Sequence, residues 1–265
     1  MAFSTSLRQL AAQCVRRVAL SLLRTISEFR AFTDVFVPPY ASRVDWHSGL
    51  GDAVFVLYSL VRAKRPQVIV EIGSARGRST CALALACRQN GVGRVYAIDP
   101  HSINLWTEIG TAGDTEVFLR ARLRDYHLED WCEVITATSA EAAKSWATPI
   151  DLLFIDGDHS FEGVRSDFEL FRPWLTPNAL VVFHDTAWNY QRALPGTPPG
   201  DLERKLANMG VPRYLDMLKR EGYQSITLPL APGLTILDPN PGGFVFCPPT
   251  RDDGSPETSI EPTDS

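Results

Sequence analysis

The chain is poor in the features that mark several common protein classes. No apolar run approaches the ~18 residues that a bilayer-spanning helix needs. There is no C-x-x-C pair, and the cysteine count is odd: Cys14, Cys81, Cys87, Cys132 and Cys247. A disulfide framework or a cysteine zinc site is therefore not expected, and reduced thiols in a cytoplasmic protein are the simplest reading. Basic residues do not dominate; the net charge is −5 and the pI about 5.6. That argues against a nucleic-acid partner held mainly through phosphates. No long repeat is visible, and the G-x-S-x-G nucleophile elbow of serine hydrolases is missing. Arg16-Arg17 before Val18-Ala19-Leu20-Ser21-Leu22-Leu23 faintly resembles a signal peptide. The run is short, Arg24 interrupts it, and no small-residue cleavage site follows, so that reading is set aside.

What is present is enough for one large domain. The 265 residues are 45% hydrophobic and 22% charged, as in ordinary globular proteins. Strands are expected at 67–72, 94–99, 132–136, 150–156, 179–185, 224–229 and 234–238. Helices are expected at 51–63, 78–89, 115–127, 139–146, 160–174 and 201–221. The runs Val68-Ile69-Val70, Leu152-Leu153-Phe154-Ile155 and Leu180-Val181-Val182-Phe183 are continuously apolar, as parallel strands covered on both faces require. The alternation predicts a doubly wound, Rossmann-like α/β sheet of seven strands. Pro232-Gly233 leaves too few residues for a crossover, so the last two strands are expected to pair antiparallel.

Three regions are predicted. Residues 1–50 are an N-terminal helix and linker, 51–246 the main domain, and 247–265 a disordered tail. In the first, Leu7, Leu10, Cys14, Val18, Leu22, Ile26 and Phe29 recur at spacings of three and four. The plain reading packs that stripe on the main domain or on a second subunit, giving a homo-oligomer. The sharper reading lays a basic amphipathic helix on a membrane surface. Segments 37–51 (Tyr40, Trp46, His47) and 186–213 (Trp188, Tyr190) are long enough to be lids, and Trp106 follows the second strand. Their aromatics suit either a ring-shaped acceptor or packing.

Val68 to Thr80 carries the clearest functional signal. A buried strand ends at Ile72, Gly73 and Gly77 allow a tight turn, and Ser79-Thr80 open a helix whose free N–H groups favour an anionic group. The spacing is Glu71-x-Gly73-x-x-x-Gly77, not the dinucleotide G-x-G-x-x-G. An acid before the first glycine suits a ligand with positive charge, such as S-adenosylmethionine. Asp99 ends the next strand 22 residues beyond Gly77, the usual interval for a carboxylate on ribose hydroxyls.

On Glu71, Gly73, Gly77 and Asp99, the core from about 66 to 238 resembles class I S-adenosylmethionine-dependent methyltransferases. The resemblance implies cofactor contacts from Glu71, Gly73, Ser74, Gly77, Ser79, Asp99 and Asp156. It also implies an adenine contact at Ser139-Ala140.

A second signal lies in Asp156-Gly157-Asp158-His159 and His184-Asp185, at the ends of two adjacent strands. Crowded carboxylates there favour a cation or protons. The pattern is similar to metal-dependent small-molecule O-methyltransferases of the macrocin and cephalosporin-hydroxylase-like branch. That likeness implies Asp156, His184 and Asp185 as ligands of a divalent metal and Asp158 as base; His159 and His184 are further catalytic candidates. His184 stands where that branch usually has a carboxylate. Mg²⁺ is then one expectation; Mn²⁺ or Fe²⁺, weak binding, or His184 as a metal-free base are the others. Asp158 as a helix N-cap is the competing structural reading. The expected function is methyl transfer to a hydroxyl of a sugar or natural-product-like molecule. The alternatives are a non-catalytic S-adenosylmethionine-binding protein and, on weaker grounds, an NAD-dependent oxidoreductase.

Overall fold

A computed structural model describes residues 2–37, 44, 46, 48–102, 115–187, 208–230 and 232–241. The strands are β1 (Val68–Ile72), β2 (Arg94–Ile98), β3 (Cys132–Ile135), β4 (Ile150–Ile155), β5 (Leu175–His184), β6 (Ser225–Leu228) and β7 (Leu234–Leu237). They form one sheet in the order β3-β2-β1-β4-β5-β7-β6. The first five strands run parallel, and β7 pairs antiparallel with both β5 and β6. The expected seven-stranded, mostly parallel sheet with an antiparallel terminal hairpin is what is found.

Helices are α1 (Ala2–Phe36), α2 (Ala53–Lys64), α3 (Arg78–Asn90), α4 (Thr115–Asp125), α5 (Ser139–Ala143), α6 (Phe161–Phe171) and α7 (Val211–Arg220). Strand side chains alternate between two cores. Ile69, Val95, Leu152, Phe154 and Val182 face the layer of α2, α3 and the end of α1. Val70, Ile72, Leu153, Ile155 and Phe183 face α6 and α7. Burial on both faces explains why these strands read as continuous apolar runs.

Several boundaries differ from expectation for local reasons. The helix expected at 160–174 stops at Phe171 and tightens into a 3-10 turn, Arg172–Trp174, around Pro173. The helix expected at 139–146 is a single capped turn, with Thr138 and Glu141 forming a reciprocal capping box. The last helix begins at Val211, with Pro212 in its first turn, and residues 201–207 lie outside the described residues. No described helix is long and apolar enough to cross a membrane.

The order of strands reverses between β1 and β4. In open α/β sheets ligands bind beyond the strand ends at such a reversal. Both segments singled out in the sequence leave the sheet there.

Candidate active site

The glycine loop is held by backbone and by one carboxylate. The Gly73 N–H donates to the Ile98 carbonyl at 2.9 Å, and the Asp156 N–H donates to the Ile72 carbonyl at 2.8 Å. The ends of β2, β1 and β4 are thereby tied side by side. Gly73 has φ 89, and a Cβ there would lie 2.1 Å from the Asp156 carbonyl oxygen. Gly77 has φ 84, and its Cβ would meet the Leu119 side chain at 2.2 Å. Gly73 thus needs glycine for conformation and for space against backbone, and Gly77 for its conformation. Asp99 spans two loops: Oδ2 accepts from the Ala75 N–H at 2.8 Å and Oδ1 from the His101 N–H at 2.7 Å.

Glu71 is fully buried, and its Oε2 accepts from the Thr80 hydroxyl at 2.6 Å. Its Oε1 is buried with no partner among the described residues, as is the Ser74 hydroxyl. Burial pushes the Glu71 carboxyl up to about 8; the Ser79 and Thr80 hydroxyls oppose that, and Asp156 and Asp99 add to it. Two orphaned polar groups beside a tight glycine loop fit a bound polar cofactor carrying positive charge.

Ser139 sits beyond β3 as expected, but its hydroxyl donates to Asp167 Oδ1 at 2.5 Å. Asp167 comes from α6 and is 4% exposed; burial raises its carboxyl to about 6, against the Ser139 hydrogen bond. Its Oδ2 would lie 2.9 Å from a Cβ on Gly157, so the acid is wedged between the loops after β3 and β4. Sequence reading missed it. The signal was available: an aspartate on the apolar face formed by Val164, Phe168 and Phe171.

The second cluster is built from side chains. His184 ends β5 with its Nδ1 2.9 Å from Asp156 Oδ1 and 3.5 Å from Asp185 Oδ2. The next residue, Asp185, has φ 57, a conformation that Asp tolerates better than most residues. Its Oδ2 lies 2.7 Å from His159 Nδ1. Asp156, His184, Asp185 and His159 therefore form one continuous chain of contacts.

Electrostatics follow from that chain. Burial disfavours charge on His184, but Asp156 and Asp185 outweigh it and hold the imidazole well above its ordinary value. His159 is raised likewise: burial lowers it, and Asp185 and Asp156 more than compensate. Asp185 is buried, which alone would raise it, yet the two imidazoles hold it well below the usual carboxylate range. One ligand atom from each of Asp156, His184 and Asp185 lies within 4.8 Å of the others, so the three could hold a single cation.

Asp158 does not join this chain through the contacts seen. Its Oδ1 accepts from the Ser160 N–H at 2.9 Å, and Gly163 packs against it. The N-cap of α6 is Ser160, whose hydroxyl accepts from the Gly163 N–H at 3.1 Å. The capping role expected as the alternative for Asp158 is thus taken two residues later. Trp46 is a packing residue, 2% exposed, with its indole N–H donating to the Asp34 carbonyl. Tyr40, His47, Trp106, Trp188, Tyr190 and the expected tail 247–265 lie outside the described residues.

Known proteins agree with this picture. A family model described as a methyltransferase domain matches residues 70–186. An uncharacterized protein of Sinorhizobium fredii, y4gI, is 29% identical over 151 residues, which cover 53% of this chain and 16% of that protein. The chain thus matches only about a sixth of that curated relative. Among solved structures, the methyltransferase PaMTH1 of Podospora anserina, bound to S-adenosylhomocysteine, aligns with a TM-score of 0.57 at 15% identity. That alignment covers 85% of this chain and 94% of the other. The O-methyltransferase TomG of Streptomyces achromogenes, in complex with S-adenosylmethionine, aligns at 0.53 and 18% identity, covering 80% and 88%. Residues 70–186 thus match a methyltransferase domain, and the sheet has the fold of methyltransferases solved with S-adenosylmethionine or S-adenosylhomocysteine bound.

Proposed function

We propose that the protein moves the methyl group of S-adenosylmethionine to a hydroxyl of a small molecule, a sugar or a natural-product-like acceptor. The observation that carries this reading is the Asp156–His184–Asp185–His159 chain, fastened directly beside the cofactor loop by the Asp156–Ile72 hydrogen bond. A hydroxyl is a weak nucleophile until its proton is removed, and a carboxylate–histidine pair is suited to take it. The acceptor oxygen forms a bond to the methyl carbon as the bond from carbon to sulfur breaks. The hydroxyl proton passes to the base, and neutral S-adenosylhomocysteine leaves.

His159, oriented by Asp185, is the base in this reading. Asp158 is engaged at the start of α6 and supports the loop. Asp156, His184 and Asp185 would hold a divalent cation. Their one-nitrogen, two-carboxylate set favours Mn²⁺ or Fe²⁺ over Mg²⁺. When bound, that ion would lower the pKa of the acceptor hydroxyl. TomG, by its description, is an O-methyltransferase involved in tomaymycin synthesis, which supports the small-molecule class.

The test has two parts. Saturating S-adenosylhomocysteine should raise the melting temperature, and its failure to do so overturns the cofactor assignment. Label from methyl-labelled S-adenosylmethionine should then appear on one or more members of a panel of hydroxyl acceptors. Transfer to amines or thiols alone would overturn the acceptor class.

A further inference from the structure

The outer face of α1 is apolar, and we infer that a second copy of this chain covers it, the two α1 helices running antiparallel. Val15, Val18, Leu22, Ile26 and Phe29 are between 59% and 71% exposed, and Phe32, at the edge of the stripe, is 43% exposed. At 100° per residue the first five fall within an arc of about 80°, and the full stripe runs about 26 Å along the helix. The body of the domain is on the other side. Ser27, Ala31, Asp34 and Val35 are buried there, nearly opposite the stripe. Three contacts anchor that side: Tyr126 OH donates to Asp34 Oδ2 at 2.9 Å, Arg78 Nε donates to the Val35 carbonyl at 3.0 Å, and Arg88 pairs with Glu28 at 3.3 Å. The stripe therefore faces away from its own domain.

Its shape suits another helix. The spacing of three and four is that of a helix-pairing seam. Of the exposed residues that flank it, Ala19, Ser21 and Thr25 are small and uncharged, and Arg30 stands about 80° from the centre of the stripe. Arg16 and Arg17 lie well over 90° from the centre of the stripe. A membrane-surface helix instead lines both edges of its apolar face with cations, whereas among the described side chains of α1 only Arg30 stands at an edge. Covering the six side chains in both copies removes on the order of 1,000 Å² from water, the lower bound for a specific interface, before any contact by the helix's first residues.

Charge selects the orientation. Before Glu28 the sequence holds four arginines and no acid; the rest of the chain holds 22 basic and 31 acidic residues. A parallel pair would set the two arginine-bearing segments side by side. An antiparallel pair centred on Leu22 lays residues 8–17 of each copy against residues 27–36 of the other, which hold Glu28, Arg30 and Asp34, and also opposes the helix dipoles. Centred on Leu22, it sets Val15 against Phe29 and Val18 against Ile26.

Sedimentation of the full chain tests this. A dimer mass is expected, converting to monomer in Leu22→Asp and in Phe29→Asp, with circular dichroism and the S-adenosylhomocysteine-induced melting shift unchanged. In a Cys14→Ser, Cys247→Ser background, Leu22→Cys should cross-link to itself. Val15→Cys should cross-link only when mixed with Phe29→Cys. A monomer at every concentration overturns the inference, as does a dimer insensitive to both aspartate variants. Self-linking Val15→Cys overturns the antiparallel arrangement. A monomer that binds phosphatidylglycerol vesicles through this face gives it to a membrane instead.

Discussion

The two halves of the candidate site are made of different material. The cofactor half is backbone: two left-handed glycines, N–H groups aimed at Asp99 and at the Ile98 carbonyl, and the free start of α3. The other half is ionisable side chain: two imidazoles threaded between two carboxylates. Backbone geometry is either possible or not, so the first half tolerates little change. Charge can be altered one group at a time, so the second half can lose its chemistry while the fold stands.

The sharpest break should come from Gly73→Val. A side chain there collides with the Asp156 backbone at a positive φ, which is costly for a β-branched residue. A loss of more than about 3 kcal/mol of stability is expected, with no melting shift on adding S-adenosylhomocysteine. Asp185→Asn should do the reverse. It removes the charge shared by His159 and His184, and kcat should fall by roughly 10²-fold or more while cofactor affinity, read by calorimetry, stays within about twofold.

A pH profile sharpens the same contrast. The Asp185 and Asp156 charges hold His159 above its ordinary value, so as the proposed base it is fully deprotonated only above a raised midpoint. Activity should climb with pH through that midpoint, and Asp185→Asn should move the midpoint down. The fold feels the opposite sign. Stability from the raised imidazole is present at low pH and is lost as pH rises through the folded value.

Glu71 offers the smallest and most local reading. Its carboxyl, pushed up to about 8, keeps a proton in the folded protein that the unfolded chain gives up nearer 4.5. Stability should therefore decline as pH rises from that range toward 8, and Glu71→Gln should flatten the decline in melting temperature. Binding of a cationic ligand should expel the same proton. Calorimetry in buffers of different ionisation enthalpy at pH 7 should detect close to one proton released by the native protein and none by Glu71→Gln.

The backbone half was the more legible of the two in the sequence. Glycines at fixed intervals after an apolar run have few other uses, and their positions predicted the turn. Asp156, His159, His184 and Asp185 were legible as a set, because two strand ends had to meet. Their pairings were not, since which imidazole faces which acid depends on the left-handed turn at Asp185. Asp167 was hidden for a related reason: its partner, Ser139, lies 28 residues away and is reached only through the sheet. The stripe on α1 was visible as a periodicity, but periodicity does not say what a face packs against. Here the domain took the opposite face, fastened by Asp34, Trp46 and Tyr126.

The Arg78 contact changes where the domain can be cut. Arg78 opens the cofactor helix, is 3% exposed, and turns its guanidinium back to the Val35 carbonyl at the end of α1. Burial makes that charge costly to hold, and Asp52 helps to hold it. A fragment starting at residue 51 would keep every expected cofactor contact in its sequence. It would nonetheless leave a cation without its carbonyl one residue after the glycine loop. The family match begins at residue 70, but the contacts that hold the start of that loop's helix reach back to Val35 in α1.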